Sequence, residues 1–454
     1  MFYCRRLTAR RLLATGSLLA TSFALVTAIA EEPAAVSFSR EVAPLLKEHC
    51  LACHNPRKAE GGYRVDTFRA LASAGDSGLA PLAGDDEQVA ELLRRVTSSD
   101  ASERMPAEST PLDPAAVDIL SRWLAAGGVF DGSDESLPLS QLIPPPVHPA
   151  APATYPTSLP VTALAFSADG SLLYSSGYHE VLAWTLEGSL AARIGNVGQR
   201  ITAIAASPDG SRLAVACGEP GRSGEVRILD LSGDAGGRVL QVPVRCDDIV
   251  LDLVFRPDGA KLATAAADKT IRIVDLASGE VTQTFQSHAE QVTALSYSGD
   301  GARLASASRD GSAKVFEADS GQLLVSYQGH ASPVRGVALL ADGLQAYSAG
   351  DDGLLHRWNV DDAKKLAEVP LGGQGFRLIL GKDGVWAPSA DKQLRRVSLA
   401  DNALANTLAG HDDWVLSAAL SRDGSRVASG GYDGEIRLWN SANGTPVATW
   451  PSRP

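Results

Sequence analysis

The sequence predicts a multidomain protein, a small all-α domain followed by an all-β propeller of seven blades. Three observations carry this reading. An Asp-Gly pair recurs at Asp169-Gly170, Asp209-Gly210, Asp258-Gly259, Asp300-Gly301, Asp342-Gly343, Asp383-Gly384 and Asp423-Gly424, at spacings of 40, 49, 42, 42, 41 and 40 residues. Short alternating runs flank each pair, four to a unit, as at 292–297, 304–308 and 323–327. Four short strands per ~40 residues, separated by turn residues, mark a propeller blade. The chain before residue 133 lacks this repeat and carries helix signals instead.

Composition sets the limits. The chain has 454 residues, 44% hydrophobic and 21% charged, with a net charge of −12. These values exclude global disorder and a polytopic membrane protein, and the acidity makes a poor nucleic-acid binder.

Residues 1–30 predict a signal peptide. Arg5, Arg6, Arg10 and Arg11 precede a small apolar run at 12–27, and Ala28-Ile29-Ala30 offers a cleavage site. The alternative is an uncleaved anchor helix. Cleavage would remove Cys4 and leave 37 basic against 53 acidic side chains, a net charge of −16. No later stretch is long and apolar enough to span a bilayer. The expected location is outside the cytoplasm, in the periplasm or cell envelope, where disulfides are permitted.

Three further regions follow. Residues 31–135 read as the helical domain, 136–160 as a linker and 161–454 as the propeller. The helical domain opens with an apolar stripe of Phe38, Val42, Leu45 and Leu46. Asp113-Pro114 is an N-cap followed by proline at the first helical position, opening a helix over 115–126. Val117, Leu120, Trp123 and Leu124 form its apolar face, and Gly127-Gly128 ends it. The linker holds eight prolines and is expected to be extended and semi-rigid.

The propeller region resembles the WD-repeat family from Val161 to Trp450. Gly329-His330 and Gly410-His411 match its Gly-His element, and Ser287-His288 comes near it. Trp358-Asn359 and Trp439-Asn440 stand where Trp-Asp is usual, so the signature is degenerate. The resemblance implies hydrogen-bonded sets within blades, His330–Ser348–Asp352–Trp358 and His411–Ser429–Asp433–Trp439. Those residues would be structural. The last unit carries its own fourth run at 446–450, which would let the ring close without an N-terminal strand.

Chemistry is expected at Cys50-Leu51-Ala52-Cys53-His54, a C-x-x-C-H pattern. Two thiols at this spacing reach the vinyl groups of one haem c as thioethers, and His54 then becomes the proximal iron ligand. Competing readings are a structural zinc site, a redox dithiol and coincidence. Zinc wants a second ligand pair, and none is placed for it in this half. A dithiol wants a preceding strand, whereas a helix over 39–48 leads into this motif.

Met105 is the one methionine after the signal. It sits in Arg104-Met105-Pro106, 51 residues after His54, on an expected loop. That suits a distal thioether ligand, and the alternative is a core gap-filler. His49 stands too close to Cys50 to reach the opposite face, and His148 in the linker is a remote alternative.

Over about Phe38 to Gly132 the chain resembles the planctomycete-type cytochrome c domain. The carrying residues are Cys50-x-x-Cys53-His54, Gly61-Gly62-Tyr63-Arg64-Val65-Asp66, Gly75-Asp76-Ser77-Gly78, Leu92-Leu93-Arg94-Arg95-Val96, Arg104-Met105-Pro106 and Arg122-Trp123-Leu124. The resemblance implies haem binding and electron transfer, with no substrate. Residues 31–133 carry 10 basic and 17 acidic side chains, which would suit a redox partner with a basic docking face.

Cys217 and Cys246 complete the cysteine count. Cys246 stands where other units have His288, His330 or His411, and Cys217 aligns with Gly431, two residues before Asp433. A disulfide replacing the His–Asp bond is the expectation, against two buried free thiols.

The expected function is an exported c-type cytochrome carrying electrons through one haem, with the propeller as a docking platform for a protein partner. That makes it a carrier or binding protein rather than an enzyme. The alternatives are a haem-containing redox enzyme and a redox or gas sensor whose propeller binds substrate or partner. Neither nucleic acid nor, after cleavage, a membrane span enters this reading.

Overall fold

A computed structural model of the chain describes residues 35–56, 58–82, 90–107, 109–232 and 237–454. The expected signal peptide and Cys4 lie outside the described residues. No described helix is long and apolar enough to cross a membrane. The chain divides after Ile143 into two compact units.

The first unit is helical. A π-helical turn, Phe38–Val42, runs into α1 (Ala43–His49), and α2 (Phe68–Leu71), α3 (Glu91–Thr97), α4 (Pro114–Ala125) and α5 (Leu139–Leu142) follow. Asp113 caps α4 by accepting the Ala116 N–H at 2.8 Å. The helix ends where Gly127 and Gly128 adopt φ of 92° and 62°, values that favour glycine. Phe38, Val42, Leu46, Leu71, Leu120 and Trp123 are at most 2% exposed and form its core. Phe38 meets Phe68 edge-on at 4.9 Å and lies 5.5 Å from Trp123.

The second unit is a seven-bladed propeller of four-stranded antiparallel sheets, β1 (Leu164–Phe166) through β28 (Pro446–Pro451). The innermost strands are β1, β5 (Arg200–Ala206), β9 (Val250–Phe255), β13 (Val292–Tyr297), β17 (Val334–Leu339), β21 (Ile379–Leu380) and β25 (Val415–Leu420). Six of the seven Asp-Gly glycines take a φ of 71–76°. In the sixth blade Gly384 instead opens a strand, β22 (Gly384–Pro388), so the turn there is tighter.

Neighbouring blades are tied near the axis by threonines. Thr162 donates to Ile201 O, Thr202 to Val250 O and Thr293 to Val334 O, at 2.5–2.8 Å. Asp252 of the third blade and Arg377 of the sixth meet across the central channel, Oδ1 to Nε 2.8 Å. The last blade holds its own four strands, and the ring closes by packing. Val161 N–H donates to Gly431 O, Ser417 Oγ donates to Val161 O, and Trp184 and Trp450 share one core cluster.

The proline-rich stretch divides between the units. Leu139 N–H bonds Asp66 O within the first. Beyond Ile143 the chain is fastened to the propeller. Arg227, fully buried, donates to Pro146 O, and Arg193 donates to Pro152 O and Ala153 O. His148 Nε2 lies 2.5 Å from Glu225 Oε1, and Tyr155 OH donates to Glu180 Oε1.

The expected bridge between Cys217 and Cys246 is not made. Both are free thiols, on β6 (Arg212–Glu219) and β8 (Arg238–Cys246), which flank β7 (Ser223–Asp230). Cys217 pairs with Glu225 and Cys246 with Gly224 in the ladder. Two strand spacings, roughly 9.5 Å, exceed the reach of a disulfide. In other blades the histidine bonds the aspartate 22 residues after it, so the counterpart of Cys246 is Asp268 of the third blade, whereas Cys217 belongs to the second.

Candidate functional site

The site is built on the turn that ends α1. Cys50 N–H still bonds Leu46 O, and His54 N–H bonds Cys50 O at 3.0 Å. One further turn of chain therefore sets both cysteines and the imidazole beside each other. His54 is then held from two sides. Its carbonyl accepts Val65 N–H at 2.9 Å, and its Nδ1 lies 3.2 Å from Tyr63 O. With Nδ1 donating to a carbonyl, Nε2 carries the free lone pair, as a metal-binding imidazole requires. Tyr63 is itself pinned, its hydroxyl donating to Leu71 O at 2.9 Å.

Cys50, His54 and Met105 line one cavity of about 430 Å³, within the range of cofactor pockets. Its apolar wall includes Tyr63, Val65, Leu79, Leu92 and Val96. Met105 comes from the loop between α3 and α4, and its N–H bonds Arg95 O at 3.0 Å. Arg95 also lines the cavity and donates through Nε to Glu91 Oε1 at 2.7 Å. The Arg94 and Arg95 guanidiniums hold the Glu91 carboxyl down at about 2. Desolvation and the neighbouring Cys53 push the Cys50 thiol up to about 11, so it is neutral at ordinary pH.

Glycine shapes one wall. Asp76 N–H bonds Gly61 O at 2.8 Å, bringing Gly75 against Gly61 and Tyr63. A Cβ on Gly75 would sit 2.7 Å from Gly61 O, so no larger residue fits there without moving this wall.

Residues 50–109 match the family model described as planctomycete cytochrome C. Residues 279–317, 321–359 and 402–440 match the WD domain, G-beta repeat, and residues 234–297 match the anaphase-promoting complex subunit 4 WD40 domain. The chain joins a planctomycete-type cytochrome c domain to a WD-repeat β-propeller. Similar curated proteins match over short stretches. The vegetative incompatibility protein HET-E-1 of Podospora anserina is 54% identical over 44 residues, 10% of this chain and 3% of its own length. The small ribosomal subunit protein RACK1 of Glycine max is 54% identical over 46 residues, 10% of this chain and 14% of its own. WD repeat and HMG-box DNA-binding protein 1 of Mus musculus is 35% identical over 65 residues, 14% of this chain and 6% of its own. The chain thus spans only a small part of each.

The cytochrome c domain has a donor set that fits a haem. A lone-pair imidazole nitrogen, a thioether and a neutral thiol serve one largely apolar cavity. Cys50, His54 and Met105 are brought together at this cavity, whereas Cys53 is not among the residues that line it. The sequence reading missed the Tyr63 carbonyl, Arg95 and the Gly75 contact as parts of the site. All three lie inside the quoted motifs, but main-chain bonds and wall contacts carry no residue-type signal.

In the WD-repeat unit the expected sets are formed. His330 bonds Asp352 and Ser348 at 2.8 Å each, with Trp358 Nε1 on Ser348 Oγ. His411 bonds Asp433 and Ser429, with Trp439 Nε1 on Ser429 Oγ. The fourth blade repeats the pattern with His288, Asp310 and Ser306.

Proposed function

We propose that the chain is an exported c-type cytochrome that carries one electron at a time, with its propeller as a docking platform for a protein partner. The observation that carries this is the one cavity that Cys50, His54 and Met105 line. Cys50 and Cys53 would hold one haem c as thioethers, His54 would be the proximal ligand and Met105 the distal one. Bound haem supplies Fe(III)/Fe(II) redox chemistry, and Met/His ligation raises its potential. The residues themselves do the positioning. Tyr63 O fixes the His54 tautomer, Arg95 O and the following proline set the Met105 loop, and the apolar wall excludes water. Export follows from the N-terminal address and from haem attachment outside the cytoplasm, in the periplasm or cell envelope. The acidic first unit suits a redox partner with a basic face.

The test is a pair of spectra on the full chain matured with haem-attachment machinery. A pyridine haemochrome of the two-thioether type, with a Met–iron band lost in Met105→Ala, is expected. Covalent haem that binds carbon monoxide freely in the unmutated protein would overturn the Met105 role.

A further inference from the structure

At the end where the innermost strands begin, the central channel of the propeller is lined by three arginines, two of which are paired with carboxylates. Arg309, Arg335 and Arg377 share a cavity of about 240 Å³ with Gln291, Thr293 and Phe376. Two of the arginines are spoken for. Arg335 is bidentate on Asp351 at 2.7 and 2.9 Å, and Arg377 is paired with Asp252. Arg309 is exposed, and its guanidinium donates to Gln291 Oε1 at 3.3 Å. Asp310 beside it is turned to His288 and Ser312.

An aromatic track leaves this mouth over the sixth and seventh blades. Phe376 lies 6.2 Å from Trp414, and Trp414 lies 6.5 Å from Tyr432. Trp414 is 43% and Tyr432 55% exposed, large values for such side chains. Asp413 Oδ1 accepts the Trp414 N–H at 2.8 Å, and Lys392 Nζ donates to the carbonyl of exposed Asp412. Arg309 is thus the arginine of this mouth with no carboxylate partner among the described residues, and Trp414 and Tyr432 are the exposed aromatic faces beyond Phe376.

We infer that this mouth docks a segment of a partner protein in which a carboxylate side chain enters beside Arg309 and a neighbouring apolar side chain lies on Trp414 and Tyr432. Charge complementarity selects the occupant. A carboxylate gains a charge-assisted bond in the mouth, and a basic peptide is refused there. The rigid aromatic faces supply apolar contact at small entropic cost. This deepens the docking-platform reading and rests on it.

The experiment selects a random-peptide phage library on the haem-loaded full chain, then measures synthetic copies of the winners by calorimetry. The controls are Arg309→Gln/Trp414→Ala, whose two positions are exposed, with its thermal unfolding checked against the unmutated chain. The expected winners carry Asp or Glu next to an aromatic or large aliphatic residue and lose about tenfold or more in affinity for the double variant, near 1.4 kcal/mol. No enrichment, winners without a carboxylate, or free glutamate competing as strongly as the peptide would overturn the inference. Winners that bind the double variant unchanged would also overturn it while leaving the docking platform standing. The visible spectrum of the same samples reports the haem reading separately.

Discussion

His54 Nδ1 and Tyr63 O face each other at 3.2 Å, and this contact decides which imidazole nitrogen is available to a metal. Tyr63 is held in turn by its hydroxyl on Leu71 O. Tyr63→Phe removes that anchor and leaves a carbonyl unsatisfied. It should cost about 1–2 kcal/mol of stability and shift the midpoint potential of the loaded protein, read by denaturation and redox titration side by side.

Charge around the cavity sets a second expectation. Glu60, Asp76 and Glu91 line it against the single arginine Arg95. Negative charge near the iron favours the oxidised form. Asp76→Asn should therefore raise the midpoint potential, and spectroelectrochemistry that shows a lower one would contradict this assignment of the cavity.

Across the channel, Asp252 is fully buried and accepts Leu253 N–H and Leu295 N–H besides facing Arg377. Burial pushes its carboxyl up, and Arg377 opposes that. Arg377→Ala strands a buried charge and should cost about 3–5 kcal/mol. A double Arg377→Met/Asp252→Leu chain should recover much of this in urea unfolding.

Acid should weaken the propeller, and the sign follows from His356. This histidine is 1% exposed, stacks on His330 at 4.0 Å, and meets Tyr327 OH through Nδ1. Burial and His330 push it down to about 4. The unfolded chain binds a proton near pH 6.5 and the folded one does not. Stability from this group is full above pH 6.5 and is lost as pH falls toward 4. Thermal unfolding midpoints should fall across that window, by less in His356→Gln than in the unmutated chain.

The cysteine pair gives a chemical check. Desolvation pushes Cys246 up to about 11 and Cys217 higher still, so both thiols stay neutral and unreactive in the fold. Alkylation without reductant should label both after unfolding and spare buried Cys217 before it.

Much of this architecture is legible in the sequence because propeller and haem signals are local. The Asp-Gly turns recur at blade spacing, and the Asp113-Pro114 cap sets α4 within a residue of its expected bounds. The bridge between Cys217 and Cys246 failed for a three-dimensional reason. Each residue aligned with or beside a bonded position, but in two successive blades, and within the second blade β7 lies between their strands. The Arg377–Asp252 pair was equally hidden, since its partners lie three blades apart and meet only when the ring closes. The Tyr63 carbonyl was invisible because any residue type could supply it.

On the proposed function, Cys50 and Cys53 hold one haem through two thioether bonds. Intact-mass spectrometry of the exported full chain, under denaturing conditions and beside a Cys50→Ala/Cys53→Ala chain, tests it most directly. The expected result is an added mass of one haem that survives denaturation and is absent from the double variant. An unmodified mass from cells that load other c-type cytochromes, or an adduct that persists in the double variant, would contradict it.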